Sequence, residues 1–137
     1  REHIQLGRYA DALDLIGEME DMSRDDKINR IESFLEIPIL HLIKQQTEDR
    51  TTRSWDVSIH NAVAQIVRTN RRRKAGGFYL TDEELNEAIG ESYPSALRRA
   101  SLEAFDGVYS AEELAAMVDE SAVKEEALGL ILETQAQ

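Results

Sequence analysis

The stretch that decides the fold is Phe34-Leu-Glu-Ile-Pro-Ile-Leu-His-Leu-Ile-Lys44, an almost wholly apolar run with one histidine and one proline. The apolar residues around it that recur at helical spacing are Ile28, Ile31, Leu35, Ile39 and Leu42. They predict a helix from about Asp25 to Thr47 that forms the central, most buried element. Pro38 predicts a kink, because proline lacks an N–H and its ring crowds the preceding turn. Two shorter helices broken at Pro38 are the alternative.

Helices are also predicted on both sides of this segment. One spans about Tyr9 to Met22 and ends in a turn at Ser23. Another begins near Ser54 and fades through Arg71 to Lys74 before the Gly76-Gly77 break. Its apolar face consists of Trp55, Ile59, Ala62, Val63 and Ile66. We therefore expect Trp55 in the core.

The sequence after Gly77 predicts shorter helices. Capping boxes at Thr81-Asp-Glu-Glu84 and Ser110-Ala-Glu-Glu113 open two of them, which end near Gly90 and Met117. The other two are expected from Pro94 to about Phe105 and from about Ala122 to Glu133. The predicted fold is all-α, a compact bundle with three longer N-terminal helices and several short C-terminal helices. Residues 1–137 should form one domain, with core helices over about 9–74 and an acidic helical part over about 78–137.

Composition narrows the class of protein. The 137 residues include no cysteine, which excludes disulfides, thiolate metal sites and cysteine nucleophiles, and which suits a reducing cytoplasm. No signal peptide is visible, and no apolar stretch reaches the roughly 20 residues that cross a bilayer. The net charge of -11 is uneven, because residues 44–74 are basic while both flanking parts are acidic. The simplest interpretation is that these parts neutralise each other in the fold.

A metal site is one candidate. His41 projects from the central helix, and Glu18 and Glu20 lie on the helix expected to pack against it. Histidine and carboxylates on facing helices can bind iron, manganese or zinc. No Glu-x-x-His or His-x-x-x-His pair is present, so a structural histidine with a hydrogen-bonded partner is the favoured interpretation.

A second candidate is anion or nucleic-acid binding. The basic residues at the predicted end of the third helix are Arg68, Arg71, Arg72, Arg73 and Lys74. They could instead complement the helix dipole or pair with the acidic C-terminal half. Arg50 and Arg53 could bind an anion near Trp55, although stacking on that ring or pairing with Asp49 and Asp56 is commoner.

No serine-nucleophile elbow, phosphate loop or calcium loop is present. We therefore expect no catalytic residue and no cofactor, and lean against an enzyme. The favoured role is that of a cytoplasmic protein-interaction or adaptor domain, monomeric or homodimeric, with an unidentified protein partner and no membrane partner. Nucleic-acid binding through Arg68 to Lys74 and a metal-dependent activity at His41 are the alternatives.

Several motifs occur in a recognisable order. They are Asp11-x-x-x-Leu-Ile-x-Glu-Met-Glu-x-Met22, Leu40-His-Leu-Ile-Lys44, Arg53-Ser-Trp55 and Tyr93-Pro-Ser-Ala-Leu97. In these motifs the chain resembles the bacterial helical family known as domain of unknown function twenty-nine. The resemblance is strongest from Asp11 to Ile59 and weak after Gly107. It implies a compact α-helical domain, and it supplies no activity, cofactor or catalytic residue.

Overall fold

The computed structural model describes the backbone of residues 9–137 and the side chains of residues 24–137. Its helices are α1 (Tyr9–Glu48), α2 (Arg53–Asn70), α3 (Asp82–Glu103), α4 (Ala111–Ala115) and α5 (Glu120–Gln135). A short 3₁₀ turn, Ala104–Gly107, follows α3. Residues 9–137 contain no strand, so the all-α prediction is confirmed. No helix in this range is both long and apolar enough to span a bilayer.

The first two predicted helices are one continuous helix. α1 has 40 residues, so the turn predicted at Ser23 is wrong. A serine alone does not end a helix, and neither glycine nor proline lies between Met22 and Asp25. α1 also continues through Pro38, which rules out the alternative of two helices broken there.

The predicted helices near Thr81 to Gly90 and Pro94 to Phe105 are also one helix. α3 has 22 residues and runs through Gly90 and Pro94. Pro94 removes one backbone hydrogen bond, whereas burial of the neighbouring Tyr93 and Ala96, 3% and 0% exposed, favours a continuous helix. Both predicted capping boxes are present, at Thr81 and at Ser110.

The core lies where α1 packs along α2 and α3, with α5 contacting all three helices. The fully buried side chains at its centre include Ile31, Leu35, Ile39, Ile43, Ile66, Leu85, Ile89 and Ile131. On the other flank, Glu36 of α1 accepts hydrogen bonds from Ser95 and from Arg99 of α3. These bonds hold the pKa of Glu36 below its ordinary value.

The burial of Trp55 differs from the prediction. Its side chain is only partly buried, so the prediction that it belongs to the core is wrong. Trp55 lies in the first turn of α2, at the end of the bundle. Its ring lies beneath two cations, at 4.5 Å from Lys44 Nζ and 4.7 Å from the Arg50 guanidinium carbon.

Candidate functional site

A single buried asparagine shapes the loop that carries the arginines. Asn70 ends α2 and is 0% exposed. Its side chain donates to Gln135 Oε1 at 2.8 Å and accepts from the Leu80 N–H at 2.8 Å. Its backbone carbonyl accepts from the Tyr79 N–H, also at 2.8 Å. Asn70 therefore ties the end of α2 to both the following loop and the end of α5.

The loop after α2, residues 71–80, makes a tight reversal that we call the return. The Arg72 N–H donates to the Gly77 carbonyl at 3.0 Å, and Arg71 faces Phe78 in an isolated antiparallel bridge. Gly76 and Gly77 have φ angles of 76° and 73°, which glycine adopts without steric cost. The chain thus leaves the helix at Arg71, and the prediction of a helix fading through Lys74 is wrong. Only Arg68 of the basic cluster lies in the last turn of α2.

This return brings the loop arginines beside two cations of α1. A concave pocket of about 230 Å³ is lined by five cationic side chains, those of Lys27, Arg30, Arg68, Arg71 and Arg73. The other described lining residues are Phe34, Gln65 and Thr69, so no carboxylate from residues 24–137 lines the pocket. Five cations around one small concavity make a site suited to anionic groups.

A larger concavity adjoins it. Arg68, Arg71 and Arg73 also line a pocket of about 550 Å³, together with Arg72 and with Thr134 and Gln137 at the end of the chain. We call these two adjacent pockets, which share Arg68, Arg71 and Arg73 in their walls, the cationic groove. Its six cations are Lys27, Arg30, Arg68, Arg71, Arg72 and Arg73.

Three of the six cations of the groove lie over aromatic rings. Arg71 lies 5.5 Å from the Phe78 ring, while Arg72 and Lys27 lie 5.6 Å and 5.3 Å from the Tyr79 ring. Arg71 also donates to the Gln135 backbone carbonyl at 3.2 Å.

Among residues 24–137, none of the six cations forms an ion pair. The acidic C-terminal half therefore does not neutralise the basic cluster through direct pairs within the described side chains. Buried polar atoms are normally paired, yet Arg72 Nε is buried without a hydrogen-bond partner in this part of the chain.

Arg50 and Arg53 do not join this groove. Arg53 begins α2 and Arg68 lies near its end, about 22 Å away at 1.5 Å per residue. Arg50 pairs with Glu48 at 3.0 Å and lies over Trp55, which agrees with the stacking interpretation, although its acidic partner is neither Asp49 nor Asp56. The exposed Lys74 follows Arg73 in the loop and does not line either pocket.

The charged groups near His41 are Lys44, Glu103 and Arg99. Burial is the main cause that lowers the pKa of His41, and the nearby Lys44 ammonium lowers it further. The His41 ring lies 6.2 Å from that of Trp55, and its Nδ1 is buried without a partner among the described side chains. Within residues 24–137 no group of three or more potential metal ligands occurs around it. The side chains of Glu18 and Glu20 lie outside the described residues.

Sequence reasoning missed Lys27, Arg30 and Asn70. Lys27 and Arg30 are three residues apart on α1, a spacing that places them on one helix face, but Asp25 and Asp26 conceal them in any count of charge. Only the packing of α1 against α2 brings them to the loop arginines. Asn70 had no sequence signal beyond its position before four basic residues.

The described residues form an all-α bundle with a cluster of cations on its surface. The chain belongs to the family described as Domain of unknown function DUF29, whose pattern matches residues 7–105. The resemblance seen in the sequence motifs is therefore confirmed. No curated protein and no solved structure matches the chain. Family membership assigns no activity.

Proposed function

We propose that this chain is a non-catalytic protein-interaction domain with an adaptor role in the cytoplasm. Its partner presents an acidic segment to the cationic groove. The observation that carries this proposal is the pocket that five cations line with no carboxylate among the described side chains, in a protein whose net charge is -11. The cysteine-free composition supports the cytoplasmic setting.

The chemistry of the groove suits carboxylates. An arginine guanidinium presents a planar fork of donors that matches a carboxylate with two parallel hydrogen bonds. Arg68, Arg71 and Arg73 line both pockets, so an acidic segment that crosses from one pocket to the other remains within their reach. Each acidic side chain of the partner would replace water around a cation that has no carboxylate partner among the described residues.

Nucleic acid is the second candidate. The fold places Phe78 and Tyr79 beside Arg71 and Arg72, which brings together the aromatic and basic residues that the linear sequence keeps apart. The rest of the molecule argues against a long polyanion. Acidic residues begin α3 at Asp82, Glu83 and Glu84, directly after the arginine loop, so a polynucleotide that extends beyond the groove meets like charge.

Fluorescence anisotropy with a labelled deca-glutamate peptide tests the proposal. We expect saturable binding that weakens as salt rises, because each contact is between opposite charges. Arg71→Gln combined with Arg73→Gln should weaken binding about tenfold, which corresponds to roughly 1.4 kcal/mol. The matched control is Arg50→Gln with Arg53→Gln, which removes the same charge at the other end of α2.

Equal losses in the two double variants would show that binding follows net charge and not the groove, and would overturn the proposal. A labelled deca-thymidylate probe compares the second candidate directly. If the oligonucleotide binds more tightly than the peptide, and loses affinity only in the Arg71 and Arg73 variant, the groove is a nucleic-acid site.

A further inference from the structure

A third concavity extends the cationic groove along the seam between α1 and α2. It has a volume of about 260 Å³ and is lined by Phe34, Ile37, Ser58, Asn61, Ala62 and Gln65. None of these residues is charged. Phe34 and Gln65 also line the five-cation pocket, so the two concavities lie side by side and share part of their walls. We call the third concavity the neutral pocket.

The neutral pocket combines an apolar wall with polar groups. Phe34, Ile37 and Ala62 supply the apolar surface. Ser58, Asn61 and Gln65 supply a hydroxyl and two amides, and none of the three side chains forms a hydrogen bond with another described residue. An amide offers both a donor and an acceptor, which is the pairing that a peptide unit requires. The pocket thus suits an apolar side chain together with the backbone that carries it.

The dimensions of the seam fit a short extended segment. Ser58 and Arg68 are ten positions apart on α2, and Lys27 and Ile37 are ten positions apart on α1. At 1.5 Å per residue, each helix spans about 15 Å from the far end of the neutral pocket to the far end of the five-cation pocket. An extended peptide advances about 3.3 Å per residue, so roughly four or five residues cover this length.

We infer that the seam binds a short protein segment in which acidic residues precede or follow one large apolar residue by a few positions. The acidic side chains contact the cations, the apolar side chain occupies the neutral pocket, and the amides of Asn61 and Gln65 pair with the segment's backbone. This inference rests on the proposed function and adds the chemical class of the partner to it. Charge complementarity fixes the acidic end, and the uncharged lining next to it fixes the apolar end.

Two labelled peptides separate this inference from the proposed function. One is Glu-Glu-Glu-Gly-Leu-Gly, and the other has glycine in place of leucine. Burial of a leucine side chain should make the first peptide bind about ten- to hundredfold more tightly. Ile37→Gln should remove most of this advantage, so that the affinities for the leucine and glycine peptides become nearly equal. Circular dichroism establishes that the variant is folded.

Asn61→Ala provides a second test that does not disturb the core, because Asn61 is exposed. It should weaken the binding of both peptides about three- to tenfold, as expected for the loss of a hydrogen bond to the backbone. The matched control is His60→Ala, because His60 is the exposed neighbouring residue on α2 and does not line the pocket. Its affinities should equal those of the unaltered protein.

The outcomes of these binding experiments distinguish failure of the inference from failure of the proposed function. Equal affinity of the unaltered protein for the two peptides would overturn the inference, while the proposed function would stand on their salt-sensitive binding. Binding of neither peptide would overturn both. Displacement of the leucine peptide by deca-thymidylate at a lower concentration than by unlabelled peptide would assign the seam to nucleic acid and overturn the inference.

Discussion

Asn70→Ala should destabilise the fold more than any other exchange of a polar side chain at the end of α2. Asn70 is wholly buried, and its amide bridges the Leu80 N–H and the Gln135 side chain, each at 2.8 Å. The substitution removes both bonds at once. Gln135 is only partly buried and can turn to water, whereas the Leu80 N–H lies in a buried bond and cannot.

The expected loss of stability in Asn70→Ala has two parts. A buried donor without a partner costs about 1–3 kcal/mol. The volume vacated by the amide adds roughly 1 kcal/mol. We therefore expect the free energy of unfolding to fall by about 2–4 kcal/mol, which corresponds to a decrease in Tm of roughly 6–15 °C for a domain of this size.

Urea unfolding followed by Trp55 fluorescence and by far-ultraviolet circular dichroism measures this change. The slope of free energy against urea should remain constant, because the surface exposed on unfolding hardly changes. The control is Asn86→Ala on the exposed side of α3, which should stay within about 0.5 kcal/mol. A loss below 0.5 kcal/mol for Asn70→Ala would refute the reasoning that this side chain fixes the loop.

Three further predictions concern other polar groups. Tyr93→Phe should keep or raise Tm, because the Tyr93 hydroxyl is buried without a partner in the described structure and burial raises its pKa to about 12; a loss above roughly 1 kcal/mol in urea unfolding would contradict this. In the same assay, Glu103→Ala should lower the free energy of unfolding by about 1.5–3 kcal/mol, since it removes the carboxylate 2.8 Å from the buried Lys44 ammonium. Lys44→Met should lower it by less than about 1 kcal/mol, because it removes the buried charge itself. A larger loss for Lys44→Met than for Glu103→Ala would count against the explanation. His41 should lower stability as pH falls from about 7 towards 5.5, because its lowered pKa lets the unfolded chain take up the proton first, and His41→Gln should flatten Tm against pH in that window; equal slopes for the two proteins would exclude His41 as the cause.

The sequence was informative wherever structure depends on local chemistry. The apolar run around Leu35 and Ile39 predicted the most buried helix, and the capping boxes at Thr81 and Ser110 predicted two helix starts. These features rest on spacing and on side chains that bond their own backbone, so neighbouring residues suffice to predict them.

The errors arose where tertiary packing outweighs local preference. Pro94 and Gly90 disfavour a continuous helix locally, yet α3 passes through both because the adjoining Tyr93 and Ala96 are buried in the core. Conversely, the residues from Arg71 to Lys74 have adequate helix propensity, and α2 nevertheless ends at Asn70. The buried amide of Asn70 bonds the Leu80 backbone across ten positions, and no local pattern reveals such a bond.

The candidate site also depends on tertiary packing that no local sequence pattern reveals. A basic run in an acidic chain is expected to find internal partners, since ion pairs relieve the repulsion between like charges. Among the described side chains, no acid pairs with a cation of the groove, and the ion pairs that do form lie elsewhere, such as Glu36 with Arg99 and Glu103 with Lys44. The fold instead adds Lys27 and Arg30 to the arginines, which increases that repulsion in the free protein. A ligand that brings negative charge into the groove relieves the repulsion, and its binding must therefore stabilise the folded chain. A cluster of cations that folding enlarges, and that the described acids do not neutralise, is the arrangement expected of a binding surface.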